Sequence, residues 1–204
     1  MLIIKIYRAK VVYMNIKKRH IIEVAFSLFY RKGFHAVGIN EIIKTASVAK
    51  KTLYNHFASK DELILATLIY RDQLEITHLK LKLASAEVGK DALLALFELL
   101  DGFINNRDKT LGDFRGDYFN NCCAEYDQTQ PLIYAQCQSH KRSIKAMIQM
   151  HVDNFEQHPE KNKLLVDTLT FLKEGVINEA LVHGNFNSAK EAGLTVENLL
   201  RFKR

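Results

Sequence analysis

Residues 39–57, INEIIKTASVAKKTLYNHF, decide how this chain is read. Ile39, Ile42, Ile43 and Ala46 recur at intervals of three and four, which predicts a short helix over residues 39–46 with one buried face. Ser47, Val48 and Ala49 supply a turn, and a second short helix is expected from Lys50 to Phe57. Leu53 and Phe57, one helical turn apart, point into the same core as Ile42 and Val48. Lys51, Tyr54 and Asn55 then fall on the opposite, polar side. Two short helices around a tight turn, with Lys, Tyr and Asn displayed on the second, describe a helix-turn-helix reader of duplex DNA. On that reading Lys51 reaches a guanine edge, Asn55 an adenine edge or a phosphate, and the Tyr54 hydroxyl a phosphate. Thr52 stands at the start of the helix, where it donates to phosphate or packs on a thymine methyl. His56 and Lys60 meet the backbone at the far end.

Upstream, Ile21, Ile22, Ala25, Leu28 and Phe29 form the core stripe of a helix expected over residues 16–32. Lys17, Lys18 and Arg19 crowd its N-terminus, where the helix dipole disfavours cations and an anionic partner relieves them. Gly33 stops the helix and Phe34 folds back as its cap contact. The charge distribution agrees with an anionic partner at this end. Residues 1–60 hold 12 Lys or Arg against 2 acids, whereas residues 61–204 hold 17 against 21. Residues 1–15 read as a basic N-terminal arm or extension, because Lys5, Arg8 and Lys10 interrupt any apolar run a signal peptide or membrane span requires.

The segment from Ile22 to Leu63 resembles the TetR family of bacterial transcriptional regulators. The resemblance rests on AFSLFYRKGF from Ala25 to Phe34, on the opening stretch above, and on SKDEL from Ser59 to Leu63. It implies that the helix beginning at Lys50 reads the major groove, with Lys51, Thr52, Tyr54, Asn55, His56 and Lys60 at the usual contact positions. Three departures from the family pattern stand out. Val37-Gly38 replaces the hydroxyl pair before the second helix, Ser47 replaces the usual turn glycine, and Ala49 replaces a capping serine. Both helix starts therefore lack a side-chain cap, with Glu41 expected to reach back and assist Gly38. Lys17, Lys18, Arg19 and the arm before them are expected to compensate.

The expected fold class is all-α, with a DNA-binding domain over residues 16–60 and a helical regulatory and dimerisation domain over residues 61–204. A long helix is expected from Ser59 to about Leu83, a lever between the two. Further helices are expected over residues 91–104 and 118–126, from Pro131 to His158 where Pro159 interrupts, and over residues 162–183 and 188–200. The FRGDYFNNCCAEY stretch, Phe114 to Tyr126, resembles one C-terminal subclass of the family, with Asp117-Tyr118 in place of Cys-Pro. The resemblance implies a homodimer, for which Leu165, Leu169, Leu172, Val176 and Leu181 are the interface candidates. It also implies a pocket for a small-molecule effector of unnamed identity, with Phe97, Leu100, Phe103, Phe119, Cys122, Tyr126 and Tyr134 as its wall.

Cys122, Cys123 and Cys137 form an odd, clustered set, which favours a reducing cytoplasm over a disulfide framework. With His140 they lack the paired spacing of a zinc site, so no metal and no cofactor are expected. No Gly-rich phosphate loop, nucleophile elbow or His-Glu-x-x-His helix occurs, so an enzyme is not expected. The function that follows is a DNA-binding regulator, in the first instance a repressor blocking polymerase at a pseudo-palindromic operator and released by an effector. The competing reading is an architectural protein that binds nucleic acid without sequence preference.

Overall fold

The computed structural model describes residues 16–201, so the expected arm over residues 1–15 lies outside it. Among the described residues there are nine helices and no strand. They are α1 (Ile16–Lys32), α2 (Ile39–Ala46), α3 (Lys50–Tyr54), α4 (Lys60–Leu83), α5 (Lys90–Ile104), α6 (Tyr118–Glu125), α7 (Pro131–Asp153), α8 (Pro159–Val182) and α9 (Ser188–Arg201). None of them is long and apolar enough to cross a membrane.

Two boundaries differ from the sequence expectation for local reasons. The α3 helix ends at Tyr54: Asn55 N–H still bonds Lys51 O at 2.9 Å, but His56 N–H tightens to a three-residue bond to Leu53 O at 2.9 Å. Phe57 N–H still bonds the same carbonyl at 3.0 Å, so Phe57 keeps its place in the core. The α7 helix stops at Asp153, short of His158, and Pro159 opens α8 instead of interrupting α7. Proline suits the first helical turn, where its missing N–H would have had no partner.

The chain divides into two compact units. The first comprises the described residues up to Arg71 together with Asn121–Gln136, and the second Asp72–Asn120 and the described residues from Cys137 onward. Residues 60–71 thus fall within the first unit, and the first part of α4 packs with α1. The ring of Tyr70 meets Phe26 edge-on at 5.9 Å, and the buried Arg71 guanidinium lies 5.4 Å from the Phe26 ring and 5.6 Å from that of Tyr30. Around them all five predicted stripe residues of α1 are buried, with Phe29 stacked on Phe34 at 5.3 Å. Gly33 makes that return possible at φ +92°, where a side chain would be strained.

In the second unit α5 lies among α8 and α9 and is buried over most of its length, including Leu93, Leu96, Phe97 and Leu100. Gly193 of α9 meets the Phe97 side chain, where a β-carbon would sit 3.6 Å away. Apolar burial of this extent, at about 25 cal/mol per Å², is what holds a helical body together.

Candidate nucleic-acid interface

The turn between α2 and α3 places Ser47 in the left-handed region at φ 53° and ψ 42°. Its N–H bonds Lys44 O, and Val48 N–H bonds Ile43 O at 3.2 Å, satisfying the last carbonyls of α2. This geometry explains why glycine is usual there. A β-carbon in this conformation costs on the order of 1 kcal/mol. Gly38 and Ala49 both adopt extended N-cap conformations without any side-chain hydrogen bond, as the sequence implied. Glu41 does not reach back to help Gly38. Its Oε1 instead pairs with Lys32 Nζ at 2.6 Å, tying α2 to the end of α1.

A cap that sequence reading overlooked stands at α4. Ser59 Oγ accepts the N–H of Glu62 at 3.1 Å, while Glu62 Oε2 accepts the N–H of Ala58 at 2.7 Å. The Ser-x-x-Glu signal was present within SKDEL.

Leu53 and Phe57 are completely buried, and Lys51, Tyr54 and Asn55 stand exposed on the other side. Thr52 and His56 are half-buried at the edges of that face, and Lys50 is exposed with its ammonium 6.0 Å from the Tyr54 ring. Lys17 and Arg19 are exposed at the start of α1, and Arg19 Nε donates to Glu23 at 2.8 Å. Lys18 lays its stem over the Phe57 ring, the ammonium 5.3 Å from its centre. Lys60 is half-buried and donates to His35 O at 3.4 Å, and burial lowers its pKa against the pull of Glu125 and Asp61. The expected contact residues thus share one unit, though Lys60 and Arg19 already have protein partners.

Sequence reading also missed Glu125. One carboxylate oxygen accepts the N–H of Phe34 at 2.8 Å and the other that of His35 at 2.6 Å, bracketing the turn after α1. The neighbouring Tyr126 ring lies 4.6 Å from that of His35 and meets Phe34 edge-on at 6.2 Å. Burial and the nearby Asp61, Cys122 and Glu125 push the Tyr126 hydroxyl up to about 12.

Of the expected pocket residues, Cys122, Tyr126 and Tyr134 belong to the first unit, where the Tyr126 ring packs against Phe34 and His35. In the second unit a cavity of about 50 Å³ is lined by Leu100 and Phe103 as expected, and also by Leu79, Leu96, Ile144 and Ile177. Phe97 is buried toward α9 and Phe119 stacks on His140, so neither lines this cavity. Sequence reading grouped these rings by type and proximity, and packing assigned them to different neighbours.

The polar end of the cavity carries Glu75, Asp117 and Lys173. Asp117, which replaces the family's more usual residue, has two tasks. Its Oδ1 accepts the N–H groups of Phe119 and Asn120, each at 2.9 Å, and caps α6. Its Oδ2 accepts from Lys141 at 2.8 Å and Lys173 at 3.4 Å. Burial works to raise the Asp117 pKa, but Lys173 and Lys141 outweigh it and hold the carboxyl far below the usual carboxylate range. Burial likewise opposes the charge on Lys173, and Asp117 and Glu174 overcome it, raising its pKa.

The five residues expected at a dimer interface differ in burial. Leu165, Leu169 and Val176 are buried in their own unit's core, Leu172 is half-buried, and Leu181 is 47% exposed. A helix with two apolar stripes does not declare in sequence which one faces inward. The stripe left outside runs through Leu164, Phe171 and Val182, each about 70% exposed, with Leu194 of α9 at 63%.

Residues 21–67 match the profile of the bacterial regulatory proteins of the tetR family. The chain is similar to the HTH-type transcriptional activator FasR of Mycolicibacterium smegmatis, 31% identical over 90 residues, which is 44% of this chain and 41% of FasR. It is also similar to YerO, an uncharacterized HTH-type transcriptional regulator of Bacillus subtilis, 37% identical over 67 residues, 33% of this chain and 23% of YerO. These matches span less than half the length of either relative. Among solved structures, SCO4454, a TetR-family transcriptional regulator from Streptomyces coelicolor, is 25% identical with a TM-score of 0.79, covering 91% of this chain and 95% of that one. Reduced NemR of Escherichia coli shares the fold, with a TM-score of 0.74 at 22% identity over 89% of this chain and 96% of that one.

Proposed function

The chain belongs to the TetR family of bacterial regulatory proteins, and from that premise we propose that it is a cytoplasmic, sequence-specific DNA-binding transcriptional regulator acting as a homodimer. The observation that carries the reading is the exposed Lys51, Tyr54 and Asn55 face, held rigid from behind by the buried Leu53 and Phe57. Lys51 and Asn55 read base edges in the major groove, while Tyr54, Thr52, His56, Lys50 and Lys60 hold phosphates. Lys17, Lys18 and Arg19 add phosphate contacts from the start of α1.

Two copies bring two such faces to successive major grooves, about 34 Å or a related spacing apart. The exposed stripe of Leu164, Phe171 and Val182, with Leu194, is the dimer surface, and a β-carbon at Gly175 on the same side of α8 would point into open space. Repression follows from occupying the operator. A small effector that binds the DNA-incompetent arrangement more tightly shifts the population away from DNA, and only that difference in affinity releases it.

Selection of bound duplexes from a random pool at fixed salt tests this. A two-fold symmetric consensus is the expected result. Enrichment of nothing beyond overall affinity contradicts the proposal and favours a non-specific architectural protein.

A further inference from the structure

The α8 helix carries a second apolar stripe that its own unit leaves in solvent. Leu164, Phe171 and Val182 are 69%, 71% and 70% exposed. Gly175 stands exposed between the last two, with open space where a β-carbon would be. At 3.6 residues per turn these four positions fall within about 40° of one another around the helix, so they form one narrow line along it.

The line is palindromic about Lys173. Counted outward from it, Leu164 and Val182 stand nine residues away on either side, Phe171 and Gly175 two, and Thr168 and Asn178, beside the line, five. Lys173 itself is 5% exposed and points the opposite way, into its own unit. No charged side chain stands on the line. An antiparallel second copy centred at the same level therefore sets Leu164 of one copy against Val182 of the other at both ends, and Phe171 against Gly175 twice in the middle. A two-fold contact requires such self-complementarity, and here the largest side chain faces the one residue without any.

Gly175 is also where the surface opens. A groove of about 530 Å³ lies between α8 and α9, lined by Leu172, Gly175 and Val176 on one side and by Ser188, Ala192 and Thr195 on the other. We propose that this groove seats the Phe171 ring of a second copy, and that α8 pairs antiparallel with its symmetry mate in the register centred on Lys173. The assignment deepens the homodimer reading given above and rests on it.

Area and pattern both select a second copy as the occupant. Leu164, Phe171, Val182 and Leu194 leave on the order of 100 Å² each in water, about 400 Å² per copy, which matches the apolar share of the roughly 800 Å² each partner gives to a stable interface. A foreign helix would have to bring an aromatic ring and two aliphatic groups at the same spacing, whereas the second copy brings them by symmetry. The register also discriminates. A related chain with a large side chain at the position of Gly175 offers no seat for Phe171, so the interface disfavours mixed dimers.

Disulfide trapping and sedimentation velocity on the full-length protein test this. Along α8 Leu164 and Val182 lie about 27 Å apart, out of reach of each other within one copy, but residues opposed across the two-fold come within disulfide distance. The double variant Leu164→Cys/Val182→Cys should therefore form a covalent dimer under mild oxidation, above the wild-type level, and neither single variant should. Gly175→Leu should weaken dimerisation at least tenfold with helical content unchanged by circular dichroism, because its new side chain meets nothing in its own unit. Adding Phe171→Ala to it should recover part of that loss, since the shortened side chain leaves room for the leucine. Trapping by a single variant, a double variant that sediments as a dimer yet is not trapped, undiminished dimerisation of Gly175→Leu, or a further loss on adding Phe171→Ala would overturn the register and leave the homodimer reading standing. A wild-type protein that sediments as a monomer at every concentration would overturn both.

Discussion

The first unit displays the cations of α3, whereas the second buries one of its own, Lys173, among carboxylates. Lys50 and Lys51 stand on the surface of the first, whereas Lys173 of the second is 5% exposed and enclosed by Asp117 and Glu174. A displayed cation costs the fold little and remains available to a phosphate. A buried one depends on its partners, because desolvation is repaid only when they are in place. The first unit is therefore built for an external charged polymer, with its weak points in local backbone chemistry. The second holds its charge in fixed internal geometry, and its weak points are single ionic side chains.

The largest expected effect tests the buried side of this contrast. Lys173→Met leaves Asp117 with one cation fewer and should lower the unfolding free energy by about 3 kcal/mol in urea titrations. The pH dependence has a definite sign. Asp117 has a depressed folded-state pKa, so its stabilisation is present above the ordinary carboxylate value, about 3.9, and fades as pH falls below that value toward the folded one. The variant should show a shallower loss of stability in that acid range. An unchanged midpoint would mean that the cluster contributes nothing net.

Next in size is Glu125→Ala, which strips partners from the N–H groups of Phe34 and His35 in the first unit. A loss of about 2 kcal/mol is expected, because one of the two groups belongs to a buried residue. Hydrogen exchange at these two amides should accelerate.

Smaller changes of opposite sign sharpen the local-backbone side. Ser47→Gly relieves a left-handed β-carbon and Ala49→Ser restores a cap, each expected to stabilise by about 1 kcal/mol. Gly38→Ser should add only a few tenths of a kcal/mol, since glycine is already a tolerable cap. If Ala49→Ser had no effect on the thermal midpoint while Gly38→Ser had a large one, the account of undercapped helix starts would be reversed.

These elements also mark what the sequence revealed and what it did not. The α1 stripe, the α2 stripe and the Leu53–Phe57 pair were legible because each is a local period of three or four residues, and the departures at Gly38 and Ala49 were legible as missing hydroxyls. Glu125 was not, since its partners at Phe34 and His35 lie about ninety residues away and are backbone groups with no sequence signature. Which stripe of α8 faces inward was not legible either, because Leu165 and Leu164 are equally apolar and only packing separates a buried leucine from an exposed one. Asp117 was noticed as a replacement, but its meaning depended on Lys141 and Lys173, which come from two other helices.

The central claim is that the displayed cations and Asn55 read sequence as well as charge. It is tested most directly by the ratio of affinities for the selected duplex and a scrambled duplex of equal length, measured at one salt concentration for the wild type and for Lys51→Ala. The account predicts a wild-type ratio of about 10³ or more, falling roughly tenfold or further in the variant as one base contact is lost. A wild-type ratio near one, or a ratio unmoved by Lys51→Ala with affinity for both duplexes lowered equally, would contradict it.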